Sequence, residues 1–190
     1  MSLILGILDS GGAAAGAAGS YESIATVTVG SGGSSSIEFT SIPATYTHLQ
    51  IRGIGTCTRN IGTMDLNITF NSDTGANYSW HMIVGNGSAV DAYNGTSTTY
   101  MKTMIYSLPT ANVYGAGVID ILDYANTNKY KTVRSLNGCD NNAGTTDSQM
   151  YFASGNWRST SAITSITVKS LAGFNFTTAS KVSLYGIKGA

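Results

Sequence analysis

The fold this sequence predicts is all-β: an antiparallel β-sandwich, jelly-roll-like, carrying an extended N-terminal arm. Three observations predict it. Short runs rich in β-branched and aromatic residues recur from Tyr21 to Ile187, punctuated by Gly-, Asn- and Ser-rich turns. Within many of these runs apolar and polar residues alternate, and no long stretch carries the 3.6-residue period of a helix. One segment, Val118–Leu136 (VIDILDYANTNKYKTVRSL), also folds onto itself in a single consistent register.

That segment reads as two strands around the polar loop Ala125–Lys129. Folding it about Thr127 sets Tyr124 against Tyr130, Asp123 against Lys131, Ile121 against Val133, Asp120 against Arg134 and Val118 against Leu136. Each such pair is typically worth ~0.2–1 kcal/mol. A slip of one residue abolishes both charge pairs and sets Ile121 against Arg134, so the register is over-determined, as a central hairpin requires.

The other strands follow in order. Tyr21–Val29 is β-branched and ends at the turn Gly30–Gly33. Ser36–Thr40 points Ile37 and Phe39 inward and Glu38 outward. Thr47–Ile54 puts Leu49 and Ile51 on one face, and Ile54, coming after Gly53, reads as a bulge or bend. Met64–Phe70 alternates most cleanly, with Met64, Leu66, Ile68 and Phe70 in and Asp65, Asn67 and Thr69 out, the pattern of a sheet with one wet face. Tyr78–Val84 is a strand, Gly85–Thr99 a long loop or weak edge, and Tyr100–Tyr106 another strand closed by Leu108-Pro109. After the hairpin, Asn137–Asp147 reads as a polar loop. Gln149–Ala153, Ile163–Val168 and Lys181–Ile187 complete the set, with Phe174 and Phe176 between the last two. About eight to ten short strands at this spacing make a sandwich.

The chain divides into residues 1–20, an apolar arm and Gly/Ala tether, and residues 21–190, one β-sandwich domain. Met1–Leu8 (MSLILGIL) is too short to span a bilayer and lacks a basic flank, so neither a membrane span nor an ordinary signal peptide is expected. Leu3, Ile4, Leu5, Ile7 and Leu8 must nevertheless leave water. They either pack on their own domain or dock on a neighbour, and docking on a neighbour is the expectation, which makes them the assembly arm.

Charged residues are only 11% of the 190, and the net charge is zero. With no basic stripe to neutralise phosphates, nucleic acid is not an expected partner. Near-zero charge favours association and fits a protein that works in an assembly. The two cysteines, Cys57 and Cys139, lie far apart, and whether they pair is open.

Candidate chemistry is sparse. The two histidines, His48 and His81, lie in no nucleophile elbow, and GxSxG is absent. Gly30–Gly33 and Gly85–Gly87 lack the Lys-Ser/Thr that a phosphate loop needs, and neither opens a helix. Asp140, Asn141, Asn142 and Asp147 cluster hard oxygens without the spacing of a calcium loop, so they read as a solvated turn. Asp120 and Asp123 are committed to cross-strand pairs rather than to glycoside hydrolysis. Sequons such as Asn67-Ile68-Thr69 and Asn94-Gly95-Thr96 are expected by chance in so Ser/Thr-rich a chain. The expectation is therefore no enzyme, no cofactor and no metal. Trp80 and Trp157, among eleven tyrosines, are the candidate glycan-stacking residues for a rival role in recognition.

Several blocks, in order, resemble a group of small virion proteins of tailed bacteriophages, of the cyanophage and marine-phage type. They are Tyr21–Gly53 (YESIATVTVGSGGSSSIEFTSIPATYTHLQIRG), Asn77–Ser88 (NYSWHMIVGNGS), Ile119–Gly138 (IDILDYANTNKYKTVRSLNG), Ser154–Ile166 (SGNWRSTSAITSI) and Ser183–Lys188 (SLYGIK). The resemblance spans most of Tyr21–Lys188 but not the arm, and carries over no catalytic residue. It implies a non-enzymatic structural protein of the virion surface, a head-decoration (cement) or fibre-type subunit. Its expected partners are the major capsid protein or tail and fibre components, with no nucleic acid and no membrane. The subunit is expected to be a homo-oligomer, a trimer favoured, attached through the arm. The alternative is a receptor-binding tail-fibre module that recognises host glycan.

Overall fold

The computed structural model describes residues 19–59, 64–106, 112–142 and 148–189. Twelve strands follow one another: β1 (Tyr21–Thr28), β2 (Ser36–Phe39), β3 (His48–Gly55), β4 (Met64–Phe70), β5 (Tyr78–Gly85), β6 (Val90–Thr98), β7 (Met101–Tyr106), β8 (Gly115–Leu122), β9 (Lys131–Cys139), β10 (Gln149–Trp157), β11 (Ile166–Ser170) and β12 (Lys181–Ile187). They form an eight-stranded sheet, β1-β12-β3-β8-β9-β10-β5-β6, and a four-stranded sheet, β2-β11-β4-β7. All pairings are antiparallel. The strands thus divide eight and four, not into the eight-stranded double sheet of a simple jelly roll.

The hairpin lies where its register implied, because β8 and β9 are the two middle strands of the large sheet. Val118 faces Leu136, Asp120 faces Arg134 and Ile121 faces Val133. The two pairs nearest the loop do not form. The ladder stops at Leu122–Thr132, and Asp123 turns out of it with a positive φ of 49°. Its carboxylate pairs with Lys129, while its backbone N–H donates to Nδ1 of His48 at 3.0 Å. Tyr124 is buried and donates its hydroxyl proton to the Pro43 carbonyl, whereas Tyr130 stays in solvent. Lys131 is fully buried. Its ammonium donates to the carbonyls of Asn126 at 2.6 Å, Lys129 at 3.0 Å, Thr160 at 3.2 Å and Ser159 at 3.5 Å. A long side chain entering the interior from a strand end satisfies more of the loop's carbonyls than a cross-strand pair would.

The core fills the space between the sheets. Leu49, Ile51, Ile119, Ile121 and Val133 come from the large sheet, and Ile37, Leu66, Ile68, Phe70 and Val168 from the small one. At one end Phe70, Tyr78 and Trp157 pack together, with Phe70 and Trp157 ring centroids 5.5 Å apart. Burial pushes the Tyr78 phenol up to about 12. Gly155 stands opposite Met101, whose sulfur would lie 2.2 Å from any Cβ added there.

Three expectations change. Ile54 is not at a bulge: β3 stays in register with β12 through Ile54 and with β8 through Gly55, and Ile54 is an exposed residue of regular alternation. The polar side of β4 is not wet, since Asn67 and Thr69 are buried. The polar stretch after Leu136 does not begin a loop, because β9 continues through Cys139. Gly85–Thr99, read as a long loop or weak edge, contains the edge strand β6, mostly exposed and bulged against β5 between Tyr78 and Trp80.

Candidate functional site

Among the described residues, the small sheet covers one face of the large sheet and leaves the other open. Register alone defines the rows of side chains across that open face. One row runs Arg52, Val118, Leu136, Phe152, Ile83, Ala92 over β3, β8, β9, β10, β5 and β6. The next, toward one end of these strands, runs Ile54, Ala116, Gly138, Met150, Gly85, Val90. Toward the other end comes a polar row: Gln50, Asp120, Arg134, Ser154, His81, Asn94.

Two of these three rows are thus mainly apolar, and they are exposed: Leu136 by 54%, Phe152 by 53% and Met150 by 60%. At the usual strand spacing and rise, two rungs over six strands cover on the order of 400 Å², a size at which an apolar patch on a monomer is often functional. The patch is also concave. A recess of about 1100 Å³ lies over it, with Ala116, Gly138, Tyr114, Asn86 and Asp140 in its lining. A second hollow of about 300 Å³, between Phe152, Ile83 and Tyr93, extends toward β6.

The sequence reasoning missed these residues, although a signal was there. In Val118–Leu136 the pairs Ile121–Val133 and Val118–Leu136 have opposite parity. Both faces of the hairpin therefore carry apolar residues, and a sandwich covers only one of them.

The candidate glycan residues lie elsewhere. Trp80 and Trp157 are 6% and 2% exposed, inside the sandwich. Trp157 donates its indole N–H to Asp73 at 2.7 Å, and the Trp80 ring lies against Gly95, where a Cβ would come within 2.6 Å of it. Neither offers a face on which a sugar could stack, because their strand positions point inward. The arm residues Leu3, Ile4, Leu5, Ile7 and Leu8 lie outside the described residues, as does Asp147. Cys57 and Cys139 are buried and not disulfide-bonded, and burial pushes the Cys57 thiol up.

The ionisable groups form small structural pairs rather than one converging centre. Lys188 and Tyr46 both donate to Glu22, at 2.9 and 3.0 Å, and these hydrogen bonds hold its carboxyl below the usual range. Burial works against the Asp73 carboxylate, but donation from Trp157, Asn77 and the Gly75 N–H outweighs it, and its pKa is lowered. The Lys129 contact lowers Asp123. His81 shares the polar row with Ser154 and Asn94, and the carboxylate of that row, Asp120, stands beyond Arg134 and accepts from Gln50 at 2.8 Å. The Asp140–Asn142 turn closes on itself, with the Asn142 N–H donating to Asp140 at 2.9 Å and Ser148 bridging to Asn141. Among the described residues, no three His, Cys, Asp or Glu side chains meet as metal ligands.

Comparison with protein-family models, curated proteins and solved structures gives no match.

Proposed function

We propose that the chain is a non-enzymatic structural subunit of a tailed-phage virion, displayed on the particle surface as a head-decoration or fibre-type protein. It works as a homo-oligomer, with a trimer favoured, and attaches to neighbouring virion proteins through its N-terminal arm. The observation that carries this reading is surplus apolar surface. The sandwich closes its own core and still presents two apolar rows on the open face, while the arm adds five large aliphatic side chains that a strand pattern has no place for. Apolar surface beyond what a chain's own core consumes is what subunit contacts use.

The test is incorporation. Particles assembled with wild-type chain should carry it at full occupancy, and particles assembled with Ile4→Asp/Ile7→Asp chain should carry little. Full occupancy of the variant would remove the arm from the attachment. Absence of the wild-type chain from purified particles would remove the virion reading altogether.

A further inference from the structure

The described residues present an apolar recess on the open face, and the sequence carries an apolar run, Leu3–Leu8, outside the described residues. We propose that in the free chain each is the other's partner, with Leu3–Leu8 lying across the recess of its own domain. This inference concerns the isolated protein and stands or falls separately from the virion reading.

Length is the first argument. The recess runs from Lys181 on β12 across β3, β8, β9 and β10 to Gly85 on β5, five inter-strand steps or ~24 Å. Six extended residues span ~20 Å. Leu3–Leu8 (LILGIL) therefore fits, with one glycine among five large aliphatic side chains.

Reach is the second. Chain entry is on the same face, since Tyr21 stacks on Tyr185 and donates its hydroxyl proton to Gln50 at 2.9 Å. The recess lining on β12 runs from Tyr185, on which Tyr21 stacks, to Lys181, which pairs with Thr28, so even its far point on that strand is only seven residues further along β1, ~23 Å away. The tether Asp9–Gly19 can span at most ~36 Å, and as a flexible coil averages ~18 Å. It reaches without being drawn taut, and a tether of that kind raises the local concentration of the segment to the millimolar range.

Charge gives the direction. With the tether returning to β1, Leu8 sits at the β12–β3 end, and the next residue is Asp9. The recess presents Arg52 and Lys181 at that end. The simplest rival is a second copy applied face to face, which the concentration dependence of the test below separates.

Peroxide oxidation of Met150, in the recess, reads the docking directly, with buried Met64 and Met82 as internal controls for the fold. In the wild-type chain Met150 should oxidise about tenfold more slowly than in Ile4→Asp/Ile7→Asp, which corresponds to about 1.4 kcal/mol of docking. The protection should be the same in dilute and concentrated protein. Ile54→Asp, three strands from Met150 on the same face, should also release the protection while Met64 and Met82 stay slow. Equal Met150 rates in wild type and the arm variant would overturn the proposal. Protection that disappears on dilution would overturn it as well, by showing that a second copy covers the face.

Discussion

Replacing Lys131 by Met tests the most unusual feature of the hairpin, a lysine that is fully buried and caps two loops at once. Its ammonium reaches four carbonyls, of Asn126, Lys129, Ser159 and Thr160, and its three protons can satisfy three of them at a time. Methionine keeps the unbranched stem and removes every donor. A hydrogen bond to a charged group contributes ~1.5–3 kcal/mol, so three gross bonds would suggest far more than the net effect. Two offsets reduce it. Burial, and after it the charge of Lys129, already disfavours the ammonium and lowers its pKa, so the variant escapes that cost. The loop carbonyls can also turn partly to water. The expected net loss is about 3 kcal/mol, between one and two charged hydrogen bonds. For a domain of this size that lowers Tm by about 6–12 °C. Scanning calorimetry measures it, and amide exchange should speed up in both Asp123–Tyr130 and Arg158–Ile163. A Tm change below about 2 °C would mean the ammonium is not held in this ring of carbonyls.

Three further outcomes follow from the geometry. Asp120→Arg sets like charges across β8 and β9 and removes the acceptor of Gln50, costing roughly 1 kcal/mol in urea unfolding; Arg134→Asp added to it should restore part, and no restoration would break the proposed pairing. Gly155→Ala drives a Cβ into Met101, at 2.2 Å from its sulfur and 2.6 Å from Cγ, for about 1–3 kcal/mol of overpacking; adding Met101→Ala should recover part of the loss, and a neutral single variant would show that the sheets are further apart there. Asp73 and Asp123 have lowered pKa values, so in the acid range the unfolded chain binds more protons than the native one. Their stabilisation is present above the ordinary carboxylate value near ~4 and is lost as pH falls through the lowered native values. Asp73→Asn should flatten the acid limb of a stability-versus-pH curve measured by urea midpoints, and an unchanged limb would deny Asp73 its part.

Strand positions were legible because period-2 alternation and turn chemistry are local. Met64–Phe70 and Lys181–Ile187 are strands over the very residues read from the sequence, and the charge pair Asp120–Arg134 set the central register before any tertiary contact was known. The interruptions were harder to read. Ile54 looked like a break because one apolar residue fell on the polar parity, yet the strand is regular there and the face itself is apolar. Lys131 looked like a cross-strand partner of Asp123, and only the return of the Ser159–Thr160 loop over the strand end supplied enough carbonyls to bury it. Trp80 and Trp157 looked available for stacking because composition cannot say which face of a strand the second sheet will cover.

The same limit governs the open face. Alternation told each strand which residues share a side. Only the stacking of β8, β9, β10 and β5 next to one another turned Val118, Leu136, Phe152 and Ile83, each unremarkable in its own strand, into one continuous apolar row. The sequence by itself determined most of the strands and the central hairpin, and it shows an apolar run at Met1–Leu8, because these depend on neighbours a few residues apart. Tertiary structure decided which side of the large sheet the small one covers, and so which apolar residues became core and which were left facing solvent, because burial depends on residues brought together from distant parts of the chain.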